Sequence, residues 1–179
     1  MHGDWCGFES RRRSPKSMSF SITIGNAIPE FLNESGELLA RWTVKDVTLP
    51  DAPTFHNDTD QSNHRAPSYV AWGDFVYTHG LHECFFNKDT GLFRDHPGCV
   101  MLTPAHGALF SAALAKRRSE STLPPGFIGE PYWKPNGAPA DWVHPEEGKY
   151  DCHLARLIWL EWWTRWALAN CETPAIENS

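Results

Sequence analysis

The sequence predicts an α+β fold: a small N-terminal antiparallel sheet packed with about three main helices and joined by long Pro/Gly-rich loops. Three observations carry this. Two early runs alternate apolar and polar residues at the period of a strand, Ser19–Ile24 and Leu38–Leu49. Later stretches repeat at the helical period, above all Asp151–Cys171, which holds Trp159, Trp162, Trp163 and Trp166. Fourteen prolines and thirteen glycines in 179 residues leave room for many loops and little extended sheet.

Residues 1–17 read as a disordered basic tail, polar and without periodicity, and Met18 reads as the start of the folded chain. Residues 18–179 are of a size for one globular domain. Phe20, Ile22 and Ile24 fall on one face of the first strand, which Gly25-Asn26 is expected to end. Asn33-Glu34-Ser35-Gly36 is a turn signal before the second run, so the pair suggests a hairpin. Pro50–Pro67 reads as a long polar loop. Its Asp58-x-Asp60-x-Ser62 opens like a calcium loop, but Asn63 stands where glycine is required and Tyr69 where glutamate is.

Ser68 is placed to cap a helix from Tyr69 to His79, which Gly80 would end. Asn87–Gly91 reads as a turn. Thr103-Pro104 marks a further helix start, running to about Arg118, where Lys116-Arg117-Arg118 suit the negative end of the dipole. Residues 123–148 form a Pro/Gly-rich loop carrying Trp133 and Trp142. The tryptophan stretch is apolar around nearly its whole circumference, with Asp151, Glu161, Arg165 and Glu172 on one stripe and Arg156 as the main exception. A helix so apolar belongs at the centre of a domain. It is not a membrane span, because its short apolar run contains two arginines and a glutamate.

Composition excludes several functions. The net charge is −6; Arg11, Arg12, Arg13 and Lys16 against Asp4 and Glu9 give residues 1–17 a net +2, leaving −8 for the rest. An acidic body disfavours nucleic acid, whose backbone requires clustered lysine and arginine. Five cysteines form no dense framework, and no signal-peptide core or lipidation signal is evident, so the expected setting is cytoplasmic. No nucleophile elbow, P-loop, dinucleotide fingerprint or H-E-x-x-H motif occurs. The chain therefore reads as a binding protein rather than an enzyme.

Two constellations remain. His79-x-x-His82 and His96-x-x-Cys99 have the paired spacing of a structural zinc site, set against the plainer reading of a helix-end histidine and a His-Pro-Gly turn. No other cofactor is implied. Separately, Tyr69, Trp72, Trp133 and Trp142 could wall a pocket whose ends are Arg65, Arg156 and Arg165, with Glu161 beside Arg165. Rings that stack a base and guanidiniums that pair with phosphate suit a nucleotide-like ligand. The same rings could equally fill a core, and Glu161 and Arg165, four apart, could be a plain intrahelical pair.

The stretches His96-Pro97-Gly98-Cys99…Leu102-Thr103-Pro104-Ala105-His106 and Leu154-Ala155-Arg156-Leu157-Ile158-Trp159-Leu160-Glu161 resemble small uncharacterised bacteriophage and prophage accessory proteins. The resemblance covers most of residues 19–179 and brings no catalytic residue. It implies a role in the host cytoplasm: capture of a host signalling molecule to antagonise defence. Alternatives are a protein–protein module, as inhibitor of a host enzyme or virion component, and a metal-dependent hydrolase. Self-association stays open.

Overall fold

Phe20, Ile22 and Ile24 are all buried against the helices, as their alternation predicts. A computed structural model describes residues 20–34, 37–54, 61–67, 69–122 and 151–179. Strand β1 (Ile22–Glu34) does not stop at Gly25-Asn26 but runs straight through. Gly25 and Asn26 stay in the ladder, opposite Ala175 and Pro174, and the Asn26 side chain accepts the Thr173 N–H at 2.9 Å. A Cβ on Gly25 would sit 3.1 Å from both Asn63 Nδ2 and Val44 Cγ1, so glycine here serves close packing rather than a turn.

β2 (Glu37–Val44) returns antiparallel, from Glu34↔Glu37 to Ala27↔Val44, as the turn signal predicts. The extended run ends five residues before Leu49. Val44 N–H goes instead to Glu177 Oε2 at 2.6 Å, and the next backbone groups go to Asn63. Within the expected loop, β3 (His64–Arg65) pairs with β1 at Ile22 and Thr23, and residues 55–60 lie outside the described set.

The sheet is larger than an N-terminal hairpin. β4 (Gly98–Met101) and β5 (Pro174–Asn178) complete the order β2-β1-β5-β4, with β3 also on β1. β5 lies between β1 and β4, and Ala175 to Asn178 are all buried. Its sequence, Pro-Ala-Ile-Glu-Asn, has no apolar alternation, because Glu177 and Asn178 are buried by hydrogen bonding instead. Glu177 holds Val44 N–H and Arg41, and Asn178 bonds His96 and Asp95 O.

Four helices complete the fold, α1 (Tyr69–Thr78), α2 (His82–Phe86), α3 (Pro104–Glu120) and α4 (Cys152–Asn170), with α4 packed on β1 and β5 and α3 on α4. Gly80, at φ +68°, ends the α1 turn as expected, while the expected cap Ser68 lies outside the described residues. The α3 start is closed by His106, whose Nδ1 accepts Thr103 N–H at 3.0 Å. α4 is the spine of the core. Eleven of its residues are buried, including Trp159 and Trp163, while Trp162 and Trp166 are half-buried. Its N-cap Asp151 accepts Leu154 N–H at 2.8 Å and Arg117 Nε at 3.0 Å. Burial raises this carboxyl's pKa, but hydrogen bonds from Ser121, Leu154 N–H and Arg117 outweigh it and hold the value below the usual range.

Asn63 is the polar centre of the sheet's margin. Fully buried, it donates through Nδ2 to Ile24 O and Lys45 O, both at 2.9 Å, and accepts Val47 N–H at 2.7 Å. Asn63→Ala strands three backbone groups, each costing about 1–3 kcal/mol. We expect a loss of about 3 kcal/mol and a melting temperature lower by about 10 °C. A thermal melt within about 2 °C of the parent would count against this role.

Candidate functional site

Residues four apart on α1 share a face, and Tyr69, Gly73 and Tyr77 form such a line. With Asp74 they make one wall of an open cavity of about 690 Å3. His82 and Phe86, also four apart, come from α2, and Lys88, Phe93 and Arg94 from the segment that follows. Tyr77 is 77% exposed and Tyr69 47%, high exposure for large rings. The rings contact one another in sequence: Tyr77–His82 at 6.3 Å, His82–Phe86 at 5.4 Å, Phe86–Tyr69 at 5.6 Å and Phe86–Phe93 at 5.7 Å.

The cationic side of the groove is held by a tight turn. Asn87 Oδ1 accepts Asp89 N–H and Thr90 N–H at 2.9 and 3.1 Å, and Gly91 N–H bonds Asn87 O at 2.8 Å. A Cβ at Gly91 would lie 2.5 Å from Asn87 O, so only glycine closes this turn. Leu92 and Phe93 N–H then bond Cys84 O and Phe85 O, both at 2.8 Å, which fixes Phe93 against α2. Arg94 leans on Asp95 Oδ2 at 3.4 Å and remains 44% exposed.

Of the candidate ligand-binding residues singled out in the sequence, Tyr69 alone among those described lines this groove, and His82 of the candidate zinc set joins it. Trp72 points the other way, into the core against Phe75 and Phe85. Arg65 is buried with its guanidinium 5.3 Å over the Trp159 ring and donates to Ser62 O, Ser62 Oγ and His64 O. Arg156, also buried, donates to Ala71 O at 3.1 Å above Phe75. Glu161 and Arg165 form the intrahelical pair, at 3.6 Å, with Ser111 Oγ donating to Glu161. Trp133 and Trp142 lie outside the described residues. Of the groove's other residues, His82 reads in the sequence as a candidate zinc ligand, and Tyr77 and Phe86 carry no motif there. The Tyr69-x3-Gly73-x3-Tyr77 spacing is the signal that could have found them.

The four candidate zinc ligands are not brought to one point. His79 bonds His153, His82 lies by Glu83 and the groove rings, and His96 Nδ1 meets Asn178 Oδ1 at 2.6 Å. Cys99 lies opposite Glu177 in the ladder, and burial, with that carboxylate, pushes its thiol up to about 11. Such a thiol is a poor metal ligand until deprotonated. Among the described residues no three His, Cys, Asp or Glu side chains are grouped to hold a metal ion. His106 serves the α3 start, and burial lowers its pKa.

Gly73 is the groove floor, and a Cβ there would meet nothing within 4 Å. Gly73→Ala should therefore raise stability by about 0.5–1 kcal/mol, from helix propensity alone. Denaturant unfolding measures this, and a destabilised variant would show that the floor is already filled.

Among the described residues no helix is long and apolar enough to cross a membrane. Compared with family models, curated proteins and solved structures, the chain matches none.

Proposed function

We propose that this protein is a non-catalytic binder that holds a small nucleotide-like ligand in the groove between α1, α2 and the Lys88–Arg94 segment. The observation that carries the reading is the row of exposed rings beside two cations. A planar base has Tyr77, His82 and Tyr69 to stack on, and Asp74 to accept a hydrogen bond from a ring or exocyclic N–H. A phosphate has Lys88 and Arg94. The cavity, at about 690 Å3, is of the size that small-ligand sites have. The ligand's rings would take over the surface that Tyr77 now gives to water. Capture of a host signalling nucleotide is the role that the resemblance to phage accessory proteins would give such a binder.

A second reading has its own observation. Phe31 is 62% and Trp42 43% exposed, and the β1–β2 register (Pro29↔Trp42, Phe31↔Ala40) puts both on one face of the hairpin. An apolar face of that kind suits a protein partner.

Calorimetry with nucleosides, mononucleotides and cyclic dinucleotides separates the two. On the favoured reading at least one binds, and Tyr77→Ala weakens it by about tenfold, since one stacked ring contributes about 1–3 kcal/mol. Arg94→Gln should weaken the phosphorylated ligands and leave nucleosides unchanged. No heat from any of them, with the melting temperature unmoved, would sink the ligand reading.

A further inference from the structure

Next to the groove, two histidines from distant parts of the chain face each other. His79 follows the last residue of α1, its N–H on Phe75 O at 3.2 Å, and His153 lies in the first turn of α4. His79 Nε2 is 3.0 Å from His153 Nδ1, and both rings pack on Phe75, at 5.3 and 5.6 Å between centroids. At 3.0 Å a single hydrogen lies between the two nitrogens, so one ring must accept. With a proton on both, two N–H groups would face each other, and the hydrogen bond would become a repulsion.

Burial and the neighbouring cations weigh against a second positive charge on His79. On α1, Asp74 Oδ2 lies 3.9 Å from His153 Nε2, but this carboxylate is 66% exposed. Asp151, at the α4 start, is taken by Arg117 of α3 at 3.0 Å. Lys116 and Arg117 of α3 act on His79 as like charges, and Arg156 of α4 sits 5.8 Å over the shared Phe75 ring. Burial, first, and then His153 and Arg117 push the His79 pKa down to about 4, with Asp151 working the other way.

We propose that the His79–His153 contact is a pH-sensitive latch, tying the end of α1 to the start of α4 while no more than one of the two rings is protonated and releasing α1 when acid protonates both. Because Tyr69, Gly73, Asp74 and Tyr77 of α1 form one groove wall, release would unmake that wall; this consequence, and it alone, rests on the ligand reading above. The sign follows from the direction of the shift. His79 takes a proton more readily when released, near 6.5, than when docked, near 4. The latch is therefore fully closed above pH 6.5 and loses its hold as pH falls from there towards 4.

Hydrogen exchange of the α1 amides on the full-length protein without ligand tests it, so that failure of the groove reading leaves the result untouched. After correction for the intrinsic rate, we expect opening of α1 to rise about tenfold or more between pH 7 and pH 5. His79→Phe keeps a ring on Phe75 but cannot take a proton, and should make that opening independent of pH. Ring signals of His79 in the unsubstituted protein, read by NMR, should titrate below pH 5. An α1 that opens equally at pH 7 and pH 5, or a His79 titrating near 6.5, would overturn the latch, and neither result depends on the variant folding.

Discussion

Four consecutive residues, Ser62 to Arg65, join the sheet to the helical core, and the rest of the fold depends on that joint. Asn63 replaces the ladder that β1 and β2 lose where the hairpin leaves the sheet, taking up Ile24 O, Lys45 O and Val47 N–H. Ser62 O, one residue earlier, receives the indole N–H of Trp159 at 3.1 Å, so the spine helix is bonded to the same segment. His64 Nδ1 lies 3.1 Å from Thr23 Oγ1 on β1, and Arg65 lays its guanidinium on the Trp159 ring. A buried amide with each of its donors and its acceptor matched to backbone tolerates little substitution. Asp has no donors for the two carbonyls, and Leu strands all three groups. Gly25 is small for the same reason, since its missing side chain is the space that Asn63 occupies.

With the segment fixed, α4 can be apolar nearly all round without aggregating. The sheet, α1 and α3 cover it, and its polar start is neutralised by the Asp151–Arg117 pair rather than by water. Arg156, the one cation on its inner turns, is accommodated by the Ala71 carbonyl and the Phe75 face. A charge so placed loses hydration and regains part of it through the carbonyl dipole and the ring quadrupole. Arg65 and Arg156, which looked free to meet a ligand, are therefore engaged inside the protein, and the groove takes its cations from Lys88 and Arg94, which lie on a turn and keep their exposure.

Periodicity made the α+β class, the first hairpin, the α3 start and the tryptophan spine legible, because each rests on the spacing of apolar side chains. It did not disclose β5 or the role of 62–65. In both, burial is driven by hydrogen bonds from Glu177, Asn178 and Asn63, and polar residues in short segments read as loop. Gly25-Asn26 misled for a related reason: a glycine needed for close approach has the same letter as one needed for a turn. At the site, aromatic count pointed to a ring-walled pocket but not to its members. Rings on the core face and the groove face of one helix, such as Trp72 and Tyr69, differ only in phase.

That phase is what gives α1 its place in the molecule. Trp72, Phe75 and Val76 on one side are fully or almost fully buried, so the helix cannot slide along the core without opening voids. Tyr69, Gly73 and Tyr77 on the other side carry the groove, with an open floor at Gly73. Phe75 lies beneath both His79 and His153, so any movement at the histidine contact is felt by a core residue three positions from Trp72 and two from Tyr77. Charge–dipole pairing adds little to α1: none of its first-turn residues is acidic and none of its last-turn residues basic. Its position is set by core packing along its length, by the Arg156 bond to Ala71 O and by the imidazole pair at its end. On the latch proposed above, the imidazole pair is the contact that a proton alters.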